Sequence, residues 1–142
     1  ADATGGTVVS PDAIQGVDCD VYAPCALGGS VNDQTIPQLK ARVICGAANN
    51  QLLEERHSMD LRERGILYAP DFVVNAGGLI NVYNELVPGG YKEERAMEQM
   101  DKIRQNLLKI FALAREEGIC TSAAANRFGD LRVAEAMAKS GS

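Results

Sequence analysis

Arg42-Val43-Ile44-Cys45-Gly46-Ala47-Ala48-Asn49-Asn50 decides the fold. A short apolar run without polar alternation stops at a glycine, two alanines and two asparagines. Strands buried on both faces read this way, as unbroken apolar runs. The same plan recurs on either side. Upstream, Asp18-Cys19-Asp20-Val21-Tyr22-Ala23-Pro24 runs into Cys25-Ala26-Leu27-Gly28-Gly29. Downstream, Gly65-Ile66-Leu67-Tyr68-Ala69-Pro70 runs into Asp71 and then Asn75-Ala76-Gly77-Gly78. Between the runs, Asn32-Asp33 to Leu39 reads as a short helix with Ile36 and Leu39 as its apolar stripe. From about Asn50 to Arg64 the pattern is again helical, with Leu52, Leu53, Met59 and Leu61 inward and Gly65 as the stop. A βαβαβ rhythm predicts an α/β fold with a parallel sheet and right-handed crossovers. Ligands of open parallel sheets bind beyond the carboxyl ends of the strands, so the three turns are expected to form one wall of a site.

The flanks are less regular. Ala1 to Gly6 reads as the tail of a preceding element, Thr7-Val8-Val9 as a strand, and Ser10-Pro11-Asp12 as the start of a short helix. After Gly78 the pattern becomes all helix. One helix runs from Leu79 to Leu86, and Val87-Pro88-Gly89-Gly90 interrupts it. A long helix over Tyr91 to Glu117 carries Ala96, Met100, Ile103, Leu107, Ile110, Phe111 and Ala114 at helical spacing, and Gly118 ends it. Thr121-Ser122 opens a last helix towards Lys139.

Composition excludes several classes. The chain has 142 residues, 46% hydrophobic and 23% charged, enough for one domain with a real core. A net charge of −5 argues against a nucleic-acid protein, which needs a basic face for phosphates. No stretch is apolar over the length of a bilayer, and no basic-then-apolar leader opens the chain, so no membrane partner and a cytoplasmic location are expected. The cysteines at 19, 25, 45 and 120 form no Cys-x-x-Cys pair and the chain has one histidine, so no metal is expected. Cys19, Cys45 and Cys120 read as small core residues. Cys25 lies in a turn beyond a strand; with no histidine partner in sight, packing is preferred there over nucleophilic catalysis.

Asn49 and Asn50 end a buried run. Asn50 is expected to cap the following helix and Asn49 to face a ligand carboxamide, hydroxyl or carboxylate. Gly77 and Gly78 open a helix whose free amides favour an anionic or strongly polar group. Leu79 and Val82, three apart on that helix, can line an apolar pocket. His57, beside Glu54-Glu55-Arg56, reads as a solvated helix residue. The chain has no Gly-x-Gly-x-x-Gly turn, so the usual pyrophosphate cradle is not within it.

The three motifs together, Asp20 to Gly29, Gly46 to Leu52 and Gly65 to Val82, resemble the cofactor domain of the glutamate/leucine/phenylalanine/valine dehydrogenases. The likeness is strongest to the members acting on leucine, valine, phenylalanine or tryptophan, and it runs from about Val8 to about Arg132. It implies a partial Rossmann-like, doubly wound parallel sheet lacking the glycine-rich βαβ start, followed by C-terminal helices. Residues 1–78 would be the second half of a dinucleotide-binding domain. Residues 79–142 would be helices that pack on it, in one compact unit, and reach towards a substrate domain.

The resemblance also implies a function. Cys25, Ala26 and Leu27 match the turn against the nicotinamide-ribose side of NAD. Ala47, Ala48 and Asn49 match the turn at the nicotinamide, where Asn49 also meets the amino-acid substrate. Gly77, Gly78, Leu79 and Val82 fall on the substrate side, where apolar residues suit an apolar amino acid better than glutamate. Asn84 stands where many leucine-type members carry aspartate, and Val87 to Gly90 is an insertion. The implied reaction is reversible oxidative deamination to a 2-oxo acid and ammonia, with an acid–base lysine of tuned pKa in an earlier domain. No catalytic residue is then expected in this chain, which would be inactive alone. An uncovered sheet edge predicts self-association as a homo-oligomer. The alternatives are a non-catalytic half-Rossmann module for small ligands or protein partners, and a flavodoxin-like nucleotide binder, which the missing phosphate loop disfavours.

Overall fold

The computed structural model describes residues 3–140; Ala1, Asp2, Gly141 and Ser142 lie outside the described residues, with the outermost ends of the predicted tail and of the two predicted spans. Among the described residues three parallel strands form the sheet, β1 (Val21–Tyr22), β2 (Val43–Ile44) and β3 (Leu67–Tyr68), in the order β1-β2-β3. Val21 pairs with Val43 and Tyr22 with Ile44, and the same β2 residues pair with Leu67 and Tyr68. Each strand is shorter than expected. Pro24 and Pro70 lie just beyond β1 and β3, and neither has an N–H to extend a ladder.

Along each strand one residue faces inward and the next outward. Tyr22, Ile44 and Tyr68 pack with Val31, Ile36, Leu39, Leu61 and Ile66 into the main core. Val21 and Leu67 on the other face are exposed. The sheet is therefore well covered on one face only, which corrects the expectation of strands buried on both. Cys45 follows Ile44 on the outward parity and is exposed, so it is no core residue; Cys120 is buried and Cys19 half-buried.

Among the described residues the α-helices are α1 (His57–Glu63), between β2 and β3, and then α2 (Asp71–Val74), α3 (Gly77–Leu86), α4 (Glu93–Glu117) and α5 (Thr121–Ser140). Gly65 and Gly118 close α1 and α4 as expected, both at positive φ. Ile110 and Ala114 of α4 pack against Ala124 and Ala125 of α5, where small side chains let the two helices approach closely. From Gly129 onward every described residue of α5 is exposed.

Several expectations fail locally. Thr7-Val8-Val9 pairs with no strand, and the stretch after Pro11 makes a 3-10 turn at Ile14–Gly16 rather than a full helix. The predicted helix at 32–39 is a turn followed by a 3-10 turn at Ile36–Gln38, although Ile36 and Leu39 are buried as expected. The predicted helix from Asn50 starts only at His57. Residues 50–56 form an irregular loop, because Leu52 bridges to Val31 and holds the chain extended there. Leu53 and Met59 consequently point outward instead of inward. Asn50 caps no helix; it adopts φ 52, a left-handed turn that asparagine tolerates, and its carbonyl accepts from Gly29 N at 2.8 Å.

His57 is fully buried, against the expectation of a solvated residue. Its Nδ1 accepts the Glu54 N–H at 3.0 Å, fixing the start of α1, and its Nε2 lies 3.5 Å from Asp33 Oδ1. Arg56 binds Asp33 at 2.6 Å and Glu54 at 2.8 Å, tying the 32–35 turn to α1. The guanidinium holds the carboxyls of Asp33 and Glu54 below their ordinary values. Asp33, His57 and Asp60 bring ligand-type atoms within 4.8 Å of one another. Arg56 already bonds both carboxylates and so fills the role a cation would take there.

Candidate functional site

The turns after β1 and β2 pack directly on each other. Ala48 N donates to Pro24 O at 2.9 Å, and Ala47 N reaches Cys25 Sγ at 3.5 Å. A Cβ on Gly46 would stand 2.1 Å from Pro24 O, and one on Gly28 2.8 Å from the carbonyls of Asn49 and Asn50. Only glycine allows the two backbones this close. Cys25, Ala26 and Leu27 are exposed on this rim, as are Ala47 and Asn49, whereas Ala48 is buried and packs.

The turn after β3 joins the same rim through side-chain amides. Asn75 Nδ2 donates to Asn49 Oδ1 at 2.6 Å. The pair borders a cleft of about 580 Å³ lined by Asn49, Asn50, Asp71, Asn75, Gly78 and Leu79, with Phe72 and Ala76 beside them. Leu79, 74% exposed, gives the cleft an apolar edge. Of the predicted residues, Asn49, Gly78 and Leu79 meet here. Cys25, Ala26, Leu27, Ala47 and Ala48 belong to the adjoining rim, and Gly77 and Val82 do not line this cleft. Val82 is exposed one turn along α3 from Leu79.

Beneath the rim lies a set of buried polar groups that the sequence reading passed over. Gln51 is fully buried, and its Nε2 donates to Gly46 O at 2.7 Å and to Ala48 O at 3.0 Å. Asp71, 8% exposed, accepts Gln51 N at 2.7 Å on Oδ2 and Phe72 N at 2.6 Å on Oδ1. Asp71 N donates to the Tyr68 hydroxyl at 3.2 Å. Burial pushes that hydroxyl well above its ordinary pKa, so Tyr68 stays protonated throughout the working range of a protein. A glutamine directly after two asparagines, and an aspartate directly after a strand-ending proline, were the available signals.

Chemically, the Asn49–Asn75 bond consumes one acceptor and one donor. Asn49 Nδ2 and Asn75 Oδ1 make no hydrogen bond among the described residues, so the cleft offers an amide donor beside an amide acceptor. The first turn of α3, which carries Gly78, has no side-chain cap. This donor set fits a carboxamide, or a carboxylate next to an ammonium group. Asn84 takes no part. It is buried, donates to Ile80 O at 2.9 Å and to Gln99 Oε1 at 2.7 Å, and accepts from Arg95 Nε.

In open parallel α/β sheets ligands bind beyond the carboxyl ends of the strands, where these turns and their polar cleft lie. The profile of the Glutamate/Leucine/Phenylalanine/Valine dehydrogenase family matches residues 2–141, and the chain belongs to that family of enzymes. Leucine dehydrogenase of Geobacillus stearothermophilus is 54% identical over 95% of the chain, which spans 36% of that protein. Valine dehydrogenase of Streptomyces albus is 52% identical over 93% of the chain and 36% of its own length. The crystal structure of L-tryptophan dehydrogenase from Nostoc punctiforme superposes with a TM-score of 0.89 at 52% identity, covering 92% of this chain and 39% of that one. The chain thus spans little more than a third of the relatives it matches. Among the described residues, no helix is long and apolar enough to cross a membrane.

Proposed function

We propose that this chain forms the nicotinamide-side wall of an NAD-dependent amino-acid dehydrogenase, which interconverts an apolar L-amino acid with its 2-oxo acid and ammonia. The observation that carries the reading is the amide pair of Asn49 and Asn75, 2.6 Å apart, bordering a cleft that ends on exposed Leu79. An amino acid has one end that needs such donors and acceptors and, in the apolar class, another that needs Leu79. Val82 lies farther along the same helix, where a longer side chain would reach it. Glutamate would meet apolar surface at its second carboxylate, which disfavours it.

When bound, NAD supplies the hydride acceptor; the tasks assigned to this chain are binding and orientation. Cys25, Ala26 and Leu27 hold the nicotinamide-ribose side, the Ala47–Asn49 turn meets the nicotinamide with buried Ala48 backing it, and Asn49 also meets the substrate. Gly77 and Gly78 set the α3 amides beside the substrate carboxylate. Residues 1–78 act as the second half of the dinucleotide-binding unit and 79–142 as helices reaching the substrate domain. The acid–base groups belong to a preceding part of the protein, and the whole works as a homo-oligomer in the cytoplasm.

The test is NADH formation by the longer protein that contains this chain, with leucine, valine, phenylalanine, tryptophan and glutamate as substrates. Turnover with apolar amino acids and little with glutamate is expected, with none from residues 1–142 alone. A preference for glutamate overturns the substrate class. Robust turnover by the 142-residue chain overturns its role as a partial site.

A further inference from the structure

We infer that Asp71 is a positioning residue that sets the spacing between the Asn49 and Asn75 amides, an inference that rests on the function proposed above. Asn49 stands on a short loop held from both ends. On the near side, the Gln51 side chain draws in Gly46 O and Ala48 O. On the far side, Asp71 Oδ2 fixes Gln51 N at 2.7 Å. The same residue carries the opposite amide, because Asn75 N donates to Asp71 O at 2.9 Å. One residue therefore grips the Asn49 loop with its side chain and the Asn75 turn with its backbone.

The chemistry requires a carboxylate there. Both Asp71 oxygens accept, from Gln51 N and from Phe72 N, and Tyr68 fixes the residue's own N–H. Among the described residues no lysine or arginine pairs with Asp71, so its charge is held by backbone donors alone. An asparagine would turn one acceptor into an NH₂ group facing an N–H, and one of the two grips would be lost. A shift of an ångström at such a distance is enough to misplace a bound substrate.

A double-mutant cycle in the complete enzyme containing this chain separates positioning from plain stability. Asn49→Ala and Asp71→Asn are each expected to lower kcat/KM for the amino acid about tenfold, the size of one lost hydrogen bond to a charged group. In the double variant the Asp71→Asn loss on kcat/KM should nearly vanish, because the side chain it positions is gone. Its lowering of the melting temperature should be the same in both backgrounds. If the two kcat/KM losses simply multiply, Asp71 acts only on stability and the inference falls. If Asn49→Ala leaves kcat/KM unchanged, Asn49 has no substrate role; the proposed function fails at that residue and the positioning inference with it. Should Asp71→Asn not fold, the same cycle is run with Asp71→Ser, which keeps one acceptor oxygen but cannot meet both backbone donors at once. Non-additivity with Asn49→Ala is again expected, and simple multiplication overturns the inference.

Discussion

In the loop from Gly46 to Gln51, polar groups turn inward and are tied to one another; along the outer face of α3, apolar groups turn outward and touch little. Gln51 and Asp71 are buried and bonded, while Asn49 and Asn50 are exposed and line the cleft. Leu79, Val82, Tyr83 and Leu86, spaced at 3, 4 and 7 from the first, form an exposed stripe on one helix face. The polar wall of the cleft is finished within this chain, while its apolar wall is only one-sided. A hydrogen-bonding surface can be completed locally by a few backbone groups, whereas an apolar pocket has to be closed by a second surface before it excludes water.

The hardest blow to this contrast is Gln51→Ala, which strips two buried carbonyls of their donor and leaves a void. A loss of about 2–4 kcal/mol in denaturant unfolding of the chain is expected; a loss below about 1 kcal/mol would mean that the loop is not held from within. A smaller effect is expected from pH. Burial raises the Tyr68 hydroxyl in the folded chain. As pH climbs past about 10, the unfolded tyrosine ionises and the folded one does not, so stability is full below that point and declines above it. Tyr68→Phe should flatten this alkaline limb in a series of melting curves.

Asp33 and Glu54 act in the opposite sense, since Arg56 lowers both. Their contribution is present above about pH 4 and is lost as acid protonates them in the unfolded state. Both are exposed, so added salt should shrink that acid limb. The smallest stability effect belongs to the open wall. Leu79→Ala should change unfolding free energy by less than about 0.5 kcal/mol, yet shift the preference of the complete enzyme towards larger side chains. A large destabilisation would show that Leu79 is packed rather than presented.

What could be read from the sequence divides along the same line. The three strand positions, their parallel order, the stops at Gly65 and Gly118 and the long α4 follow from runs, glycines and spacing that act over a few residues. The family resemblance, carried by the same turns, led to the family that the profile match shows. The helix start at 57, the burial of His57 and the turn at Asn50 could not be read in that way. The loop before the helix is held by the Val31–Leu52 bridge, the Asn50 turn receives Gly29 N, and His57 meets Asp33, contacts between segments that sequence periodicity does not link. The clamp by Gln51 and Asp71 was hidden for a related reason. Polar residues are ordinarily assigned to solvent, and only the backbone groups they meet, up to 20 positions away, show that these two face inward. Asn49 stood out because it ends a strand, whereas Gln51, two positions on, looked like the first residue of a helix.

The corner between α3 and α4 has a mechanical corollary. Arg95 Nη2 reaches Asn84 O at 3.1 Å and Gly90 O at 2.7 Å, its Nε meets the Asn84 side chain, and Asn84 Nδ2 reaches Gln99, so two α4 side chains rivet α3 and the linker to α4. The corner is thus clamped as one piece: Gly90 N closes a turn on Val87 O at 2.9 Å, and the same arginine grips that turn through Gly90 O. The bearing of α3, and with it the aim of Leu79 at the asparagines, is therefore set from α4, at a corner remote from the cleft itself.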